Sequence, residues 1–449
     1  MADAKSQARW ILGILFAINL LNFWDRYIFA AVAEPIRKEW TLSDAQIGWL
    51  ATAFTLLYAV VGVPLGRLAD RWKRPTILGL GVAAWSLLTA GSGLAWSYGS
   101  LFAARLGVGI GEASCAPASS SLIGDLYPAS RRGRAISLFM LGLPIGGLIG
   151  TYVSGQLAGT YGWRMAFYAA CIPGLILAIL ALRIVEPVRG AAEEAGLAEG
   201  PVKGSPYWRV LKIPTMRWVI LSGAVFNFNA YALTTFLPAF LSRIHSLSLK
   251  DANTVTAVVY SGVGILGMML GGWAVDHLKN RWANVRLLFP AVAFLVNAPC
   301  LYLALGRPAG DLAGFIVLMA IASLFQFMYY GGVYAAIQDV IPPTLRGTAM
   351  ALYFMAMYLL GGSFGPVITG RTSDYFARLA LTTAGATSMT EAFRAAGLHS
   401  AMYIIPAGAL VLAAVLFAAA RTVAQDMHEL RMWMSRPQED IPLVAEIEG

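Results

Sequence analysis

The chain has 449 residues, 58% of them apolar and only 13% charged, with a formal net charge of +9 and a mean hydropathy of +0.64. That balance excludes an ordinary soluble enzyme of two or three domains and points to a polytopic membrane protein. The positive charge could suggest a nucleic-acid partner, but the placement of the basic residues removes that reading.

Apolar runs of the ~20 residues that a spanning helix needs recur at 10–36, 45–66, 75–98, 99–126, 134–160, 164–185, 217–243, 253–275, 285–306, 312–338, 347–370 and 400–421. They predict an all-α membrane protein of twelve transmembrane helices. The first run holds "LLNFWDRYIF", residues 20–29, where Asp25 and Arg26 stand side by side in apolar sequence. It lacks a small-residue cleavage pattern and reads as a retained helix, not a signal peptide.

The basic residues fall in the short loops of one side. Arg67, Arg71, Lys73 and Arg74 follow the second run; Arg131, Arg132 and Arg134 the fourth; Lys279, Arg281 and Arg286 the eighth; Arg346 the tenth. The positive-inside rule makes those loops and both termini cytoplasmic, and the plasma (inner) membrane is the location expected. The excess charge is topology, and no nucleic acid is expected. Cys115, Cys171 and Cys300 lie inside apolar runs without metal spacing and read as packing residues.

Between the sixth and seventh runs lies "EPVRGAAEEAGLAEGPVKGSP", a polar insertion that reads as a linker between two six-helix halves. The boundaries expected are a first bundle over 1–186, a cytoplasmic linker over 187–215, a second bundle over 216–424 and a cytoplasmic tail over 425–449. The halves are repeats. "IGDLYPASRRGRA" (123–135) matches "IQDVIPPTLRGTA" (337–349) at Ile, Asp, Pro, Arg, Gly and Ala without a gap, and "GRLAD" (66–70) answers "GWAVD" (272–276).

On these residues the chain resembles the major facilitator superfamily. "GRLADRWKR" (66–74) is similar to that family's loop motif between the second and third helices, with Gly66, Asp70, Arg71 and Arg74 at matching places, though Lys73 stands at the usual second glycine. "NFWDRY", "GRLADRWKR" and "ARLGVGIGEAS" (104–114) together resemble the Spinster family of lysolipid and sphingolipid transporters. The resemblance implies two six-helix bundles related by a pseudo-two-fold repeat, alternating access, and a cavity lined by the first and fourth helices. It also implies a cytoplasmic gate of Gly66, Asp70, Arg71, Arg74 and Asp125, where an Asp at a helix end pairs with Arg and meets a helix dipole across the seam. The alternative for those loops is a solvated segment that only sets topology.

Ionisable residues inside the runs are confined to the first half: Asp25, Arg26, Arg105 and Glu112. A charge at the bilayer centre costs at least ~2.5–3.5 kcal/mol, so such residues face the bundle interior and pair. Arg105 and Glu112 are two turns apart on one helical face, and at ~1.5 Å per residue Asp25 falls between them in depth. Asp25, Arg105 and Glu112 are therefore expected to form one polar cluster, with Arg105 held between carboxylates within reach of a substrate anion. Asp25 and Glu112 are the candidate proton carriers. The other reading is a structural ion pair that fixes packing. Arg26 points about 100° from Asp25 and is expected to snorkel or pair elsewhere.

The second half offers aromatics and amides in "FNFNAYALTTF" (226–236) and "FQFMYYGGVYAAIQ" (325–338). Phe228, Asn229 and Tyr330 are the candidates there for an apolar wall with a few hydrogen-bonding points, with helix packing as the alternative. "GGSFG" (361–365) and the Gly107, Gly109, Gly111 alternation lie inside apolar helices and read as close packing, not as a hydrolase elbow or a nucleotide loop. No Walker motif or metal-type His pair occurs, so no cofactor, metal or ATP hydrolysis is expected.

The reading is a monomeric secondary transporter, not an enzyme, that moves an amphiphilic lipid, a lysophospholipid or a sphingoid phosphate, with proton coupling in prospect. Two alternatives stand: a drug or organic-anion exporter of the same superfamily, and a membrane receptor or channel that transports nothing.

Overall fold

The computed structural model describes residues 2–189, 205–278, 282, 284–342 and 345–434, and all regular structure within them is helical. The first half holds α1 (Ala2–Glu39), α2 (Asp44–Arg71), α3 (Arg74–Gly93), α4 (Tyr98–Glu112, resuming as Cys115–Leu126), α5 (Ala129–Met140, resuming as Gly142–Tyr161) and α6 (Trp163–Leu182). The second holds α7 (Pro214–Ile244), α8 (Leu249–Leu278), α9 (Val285–Leu305), α10 (Leu312–Phe327, resuming as Tyr329–Val340), α11 (Arg346–Thr383) and α12 (Glu391–Met402, resuming as Ile404–Met434). Eleven are long and apolar enough to register as spans on length and composition. The twelfth, α4, is interrupted by a turn at Ala113–Ser114, which leaves two pieces each too short to span alone.

Helix ends differ from the expected runs where caps decide them. Ser43 and Ser97 start α2 and α4 with capping boxes, and the Asp311 carboxylate accepts from Gly314 N at 2.9 Å to start α10. The expected linker lies mostly outside the described residues, and its end carries a short helix, Pro206–Lys212. The expected tail begins as helix, because α12 continues to Met434.

The internal repeat is visible in the packing. Within the first half α1 lies on α5, α3 on α6 and α4, and α2 on α4; the second half repeats this as α7 on α11, α9 on α12 and α10, and α8 on α10. The first hairpin of each half turns through a non-glycine left-handed residue, Thr41 at φ 52° and Ser246 at φ 55°. Asn19 Nδ2 donates to Phe139 O at 2.7 Å beside the break in α5, and Asn227 Nδ2 donates to Met357 O at 3.0 Å beside a π-helical segment of α11, Met357–Gly362. The halves meet along two seams, α2 with α11 and α5 with α8. At Gly48 and Gly155 the backbones approach so closely that a Cβ would stand 2.4 Å from Pro366 O and 2.3 Å from Asn253 Cβ.

Candidate functional site

Between the halves lies a cavity with about 840 Å³ of empty space, its open side included. Its first-half wall is made by Phe23, Arg26, Tyr27 and Ala30, spaced as one stripe of α1, with Phe54 of α2 and Arg105 of α4. Its second-half wall is aromatic and hydroxylic: Tyr231, Tyr260, Tyr330, Tyr334 and Tyr358, with Asn227 and the threonines 234 and 235.

The charges are arranged otherwise than the sequence suggested. Arg26 does not snorkel but pairs elsewhere, on the cavity wall. Its Nε donates to Glu112 Oε2 at 3.0 Å and its Nη1 to the Tyr358 hydroxyl at 2.9 Å, while the guanidinium lies 4.5–5.0 Å from the ring centres of Phe23, Phe54 and Tyr58. Asn22 Nδ2 donates to the same Glu112 oxygen at 2.7 Å, and Glu112 Oε1 meets no donor. Asp25, one residue and about 100° from Arg26, points into the first half instead. It is buried, Trp85 and Thr89 of α3 approach it, and neither carboxylate oxygen has a hydrogen-bond partner. Asp25 therefore makes no hydrogen bond or ion pair with Arg105, although Glu112 and Arg105 are the charges that act on it most strongly, so the three expected residues are neighbours but not one bonded cluster.

Arg105 lines the cavity and is 1% exposed. Its Nε and Nη1 meet no acceptor, and its guanidinium rests 5.5 Å from the Phe54 ring centre and 5.9 Å from that of Phe29. A buried guanidinium with unsatisfied N–H groups can accept an anion in charge-assisted hydrogen bonds. In the second half Tyr330 is on the wall, packed edge-on against Phe226 at 5.1 Å. Phe228 and Asn229 are not: the backbone of Phe228 packs on Gly365, and Asn229 is buried against Gly408 of α12 with neither side-chain atom bonded. Asn227 and Tyr231 take their place, one and two positions away in phase.

Polar bonds across the seam gather at the end of the bundle opposite the chain termini. Arg243 of α7 binds Asp44 of α2 with 2.8 Å contacts to both oxygens and Glu34 of α1 at 2.7 Å. Asp374 of α11 accepts from Asp44 N and Ala45 N, each at 3.0 Å, so the N-terminus of α2 is capped by the other half. Ser373 Oγ donates to Asp44 at 2.6 Å, and Arg37 pairs with Glu391 at 2.6 Å.

The model of the Major Facilitator Superfamily matches residues 15–366. The mouse protein spinster homolog 1 is 30% identical over 401 residues, covering 84% of this chain and 75% of its own. The chain belongs to the major facilitator superfamily, on its Spinster branch. A solved bacterial homologue of the human lysosomal transporter Spinster, inward-facing and unoccupied, superposes with a TM-score of 0.84 at 28% identity, covering 94% of this chain and 98% of that one. An MFS-type efflux pump of Mycolicibacterium smegmatis is 29% identical over 409 residues, 90% of this chain and 91% of the pump. The major facilitator fold makes the chain a multi-pass secondary transporter and not an enzyme.

At the termini end the major facilitator loop motif is partly described. Arg74 is buried and pairs with Asp125, with Glu186 at 2.7 Å and with Ser121 Oγ at 2.9 Å. Arg286 pairs with Asp339 at 2.6 Å as the second-half counterpart. These bonds stay within their own halves. Arg71 is exposed, and the side chain of Asp70, with Gly66 beside it, lies outside the described residues.

Proposed function

We propose that this transporter moves an amphiphilic lipid with an anionic phosphate head, a lysophospholipid or a sphingoid phosphate, by alternating access. The observation that carries the reading is Arg105. Arg105 lines a cavity whose other wall is aromatic, and its Nε and Nη1 make no hydrogen bond, so in this reading one end supplies phosphate binding and the rest supplies apolar contact. Arg26 supplies a second guanidinium, already committed to Glu112. Protonation of Glu112 would release Arg26 toward a substrate anion, and Asp25, unpaired behind α1, is the second group able to take a proton; coupling to protons follows from either.

In this reading the protein is a monomer in the plasma (inner) membrane with both termini cytoplasmic, surrounded by membrane lipids. The closed end is then external, and the structure faces inward. Arg74 and Asp125, with Gly66, Asp70 and Arg71, form the cytoplasmic gate that closes when the external bonds open. The likeness to an efflux pump favours a second reading, export of a soluble drug or organic anion through the same cavity.

Purified protein in liposomes separates them. Uptake and binding are measured for lysophospholipids and sphingoid phosphates of graded chain length, for neutral lipids of the same chains, and for soluble organic anions. The lipid reading expects transport that requires the phosphate and strengthens with chain length. Equal transport of soluble anions without chain dependence would replace it with the exporter. An imposed pH gradient that leaves lipid flux unchanged would remove proton coupling alone.

A further inference from the structure

The hydrogen bond from Arg26 to Tyr358 joins α1 of one half to α11 of the other in the middle of the molecule. Tyr358 sits in the π-helical segment of α11, where its carbonyl accepts from Ser363 N at 2.9 Å and Ser363 Oγ at 3.0 Å, an i to i+5 closure. Ser363 is in turn fastened to the first half: Thr52 Oγ1 of α2 donates to its carbonyl at 2.5 Å, and Thr55 Oγ1 shares a hydrogen bond with its hydroxyl at 3.1 Å. Asn227 of α7 holds the same segment through Met357 O. One continuous chain of bonds therefore runs from Asn22 and Glu112 through Arg26, Tyr358 and Ser363 to α2.

We infer that Tyr358 is a positioning residue, through which the state of the Glu112–Arg26 pair is felt by α11. The argument is geometric. Arg26 has one guanidinium and divides it between a carboxylate of its own half and a hydroxyl of the other. Whatever moves the guanidinium, a proton on Glu112 or an anion in the cavity, changes the bond to Tyr358 at the same moment. A π-segment is a place where a helix holds one residue too many for its turn, and it can pass that excess along when a hydrogen bond at its edge is lost. The ring of Tyr358 also packs on Tyr58 of α2 at 4.9 Å and Tyr231 of α7 at 6.2 Å, so the residue stands where α2 of one half meets α7 and α11 of the other, a contact that must open when the halves rock. The inference does not depend on the cargo and survives if the lipid reading fails.

The test reads conformation instead of transport. Spin labels are placed at Lys38→Cys on α1 and Ser388→Cys in the loop before α12, both exposed at the end opposite the termini, in a protein carrying Cys115→Ala, Cys171→Ala and Cys300→Ala. Their distance distribution in liposomes gives the ratio of closed to open forms. Tyr358→Phe removes the hydroxyl and keeps the ring. In an otherwise unmodified background it is expected to lower that ratio about tenfold, the size of one hydrogen bond to a charged group. In a Glu112→Gln background the same substitution should change it less than about twofold, because the two act through one guanidinium. Ser363→Ala, which removes the hydroxyl's bonds to Tyr358 O and Thr55 and leaves those made by the Ser363 backbone, should shift the ratio in the same direction by a smaller factor. An unchanged distribution for Tyr358→Phe, or an equal shift in both backgrounds, would overturn the proposal.

Discussion

Arg74 with Asp125 in the first half, and Arg286 with Asp339 in the second, make the same ion pair at the same place in each bundle. Arg132 donates to Gly124 O at 2.9 Å and Arg346 to Gln338 O at 3.1 Å, again alike, and Asn19 and Asn227 bind the broken fifth helix of each half in the same manner. Midway along the helices the likeness ends. The first half carries Asp25, Arg26, Arg105 and Glu112, while the facing wall of the second carries tyrosines, threonines and an asparagine. What both halves need in order to stand as bundles is duplicated. What only one half has is charge at the cavity, and in the proposed reading that charged wall fixes the head of an amphiphile while the uncharged wall accepts its chain.

The strongest way to break that comparison is at Arg26. Arg26→Leu strips Glu112 of its counter-charge in a buried site, which costs roughly 3–5 kcal/mol when one member of such a pair is removed. Thermal unfolding should show that loss together with loss of transport. Adding Glu112→Leu should restore much of the stability and none of the transport, because the charge defect is cured but the site is not. Recovery of transport in the double variant would show that the pair is scaffold, like the duplicated ones.

Smaller effects should come from the duplicated pair itself. Arg74→Ala and Arg286→Ala each remove hydrogen bonds to charged and carbonyl partners at the termini end, for roughly 1–3 kcal/mol. Arg74→Ala should be the larger, since Arg74 also holds Glu186, Ser121 and Pro187 O. In both variants the preference among substrates should stay as it is, measured as the ratio of uptake between phosphorylated and neutral lipids. A changed ratio would mean that the repeated pairs reach into the cavity.

Much of this was legible in the sequence, and the parts that were not share one cause. The repeat around 123–135 and 337–349 could be read because its arginines satisfy backbone carbonyls at a turn, which any copy of the turn requires. The restriction of charge in the interiors of the apolar runs to the first half could be read because charge in apolar sequence is conspicuous. The direction each charge points could not. A soluble helix shows its inner face by the polarity of its outer one, but α1 packs on α5 and α6 on one side and borders the cavity on the other, so no polar face fixes its phase. A shift of one residue is about 100°, enough to exchange Asp25 for Arg26. The same ambiguity put Phe228 and Asn229 on the wall in place of Asn227 and Tyr231. The stripe formed by Phe23, Arg26, Tyr27 and Ala30 was the available signal, and its spacing singles out Arg26 once the adjacent pair is treated as two faces.

Arg105 remains the residue on which the reading of the cavity turns. Binding of a phosphorylated lysolipid and of a neutral lipid with the same chain is measured with the unmodified protein and with Arg105→Ser. If Arg105 receives the head group, the phosphorylated lipid should lose affinity by about 10- to 100-fold, as expected for a charge-assisted bidentate contact, while the neutral lipid changes less than about twofold. Equal weakening of both lipids would contradict the account and make Arg105 a packing residue beside Phe29 and Phe54.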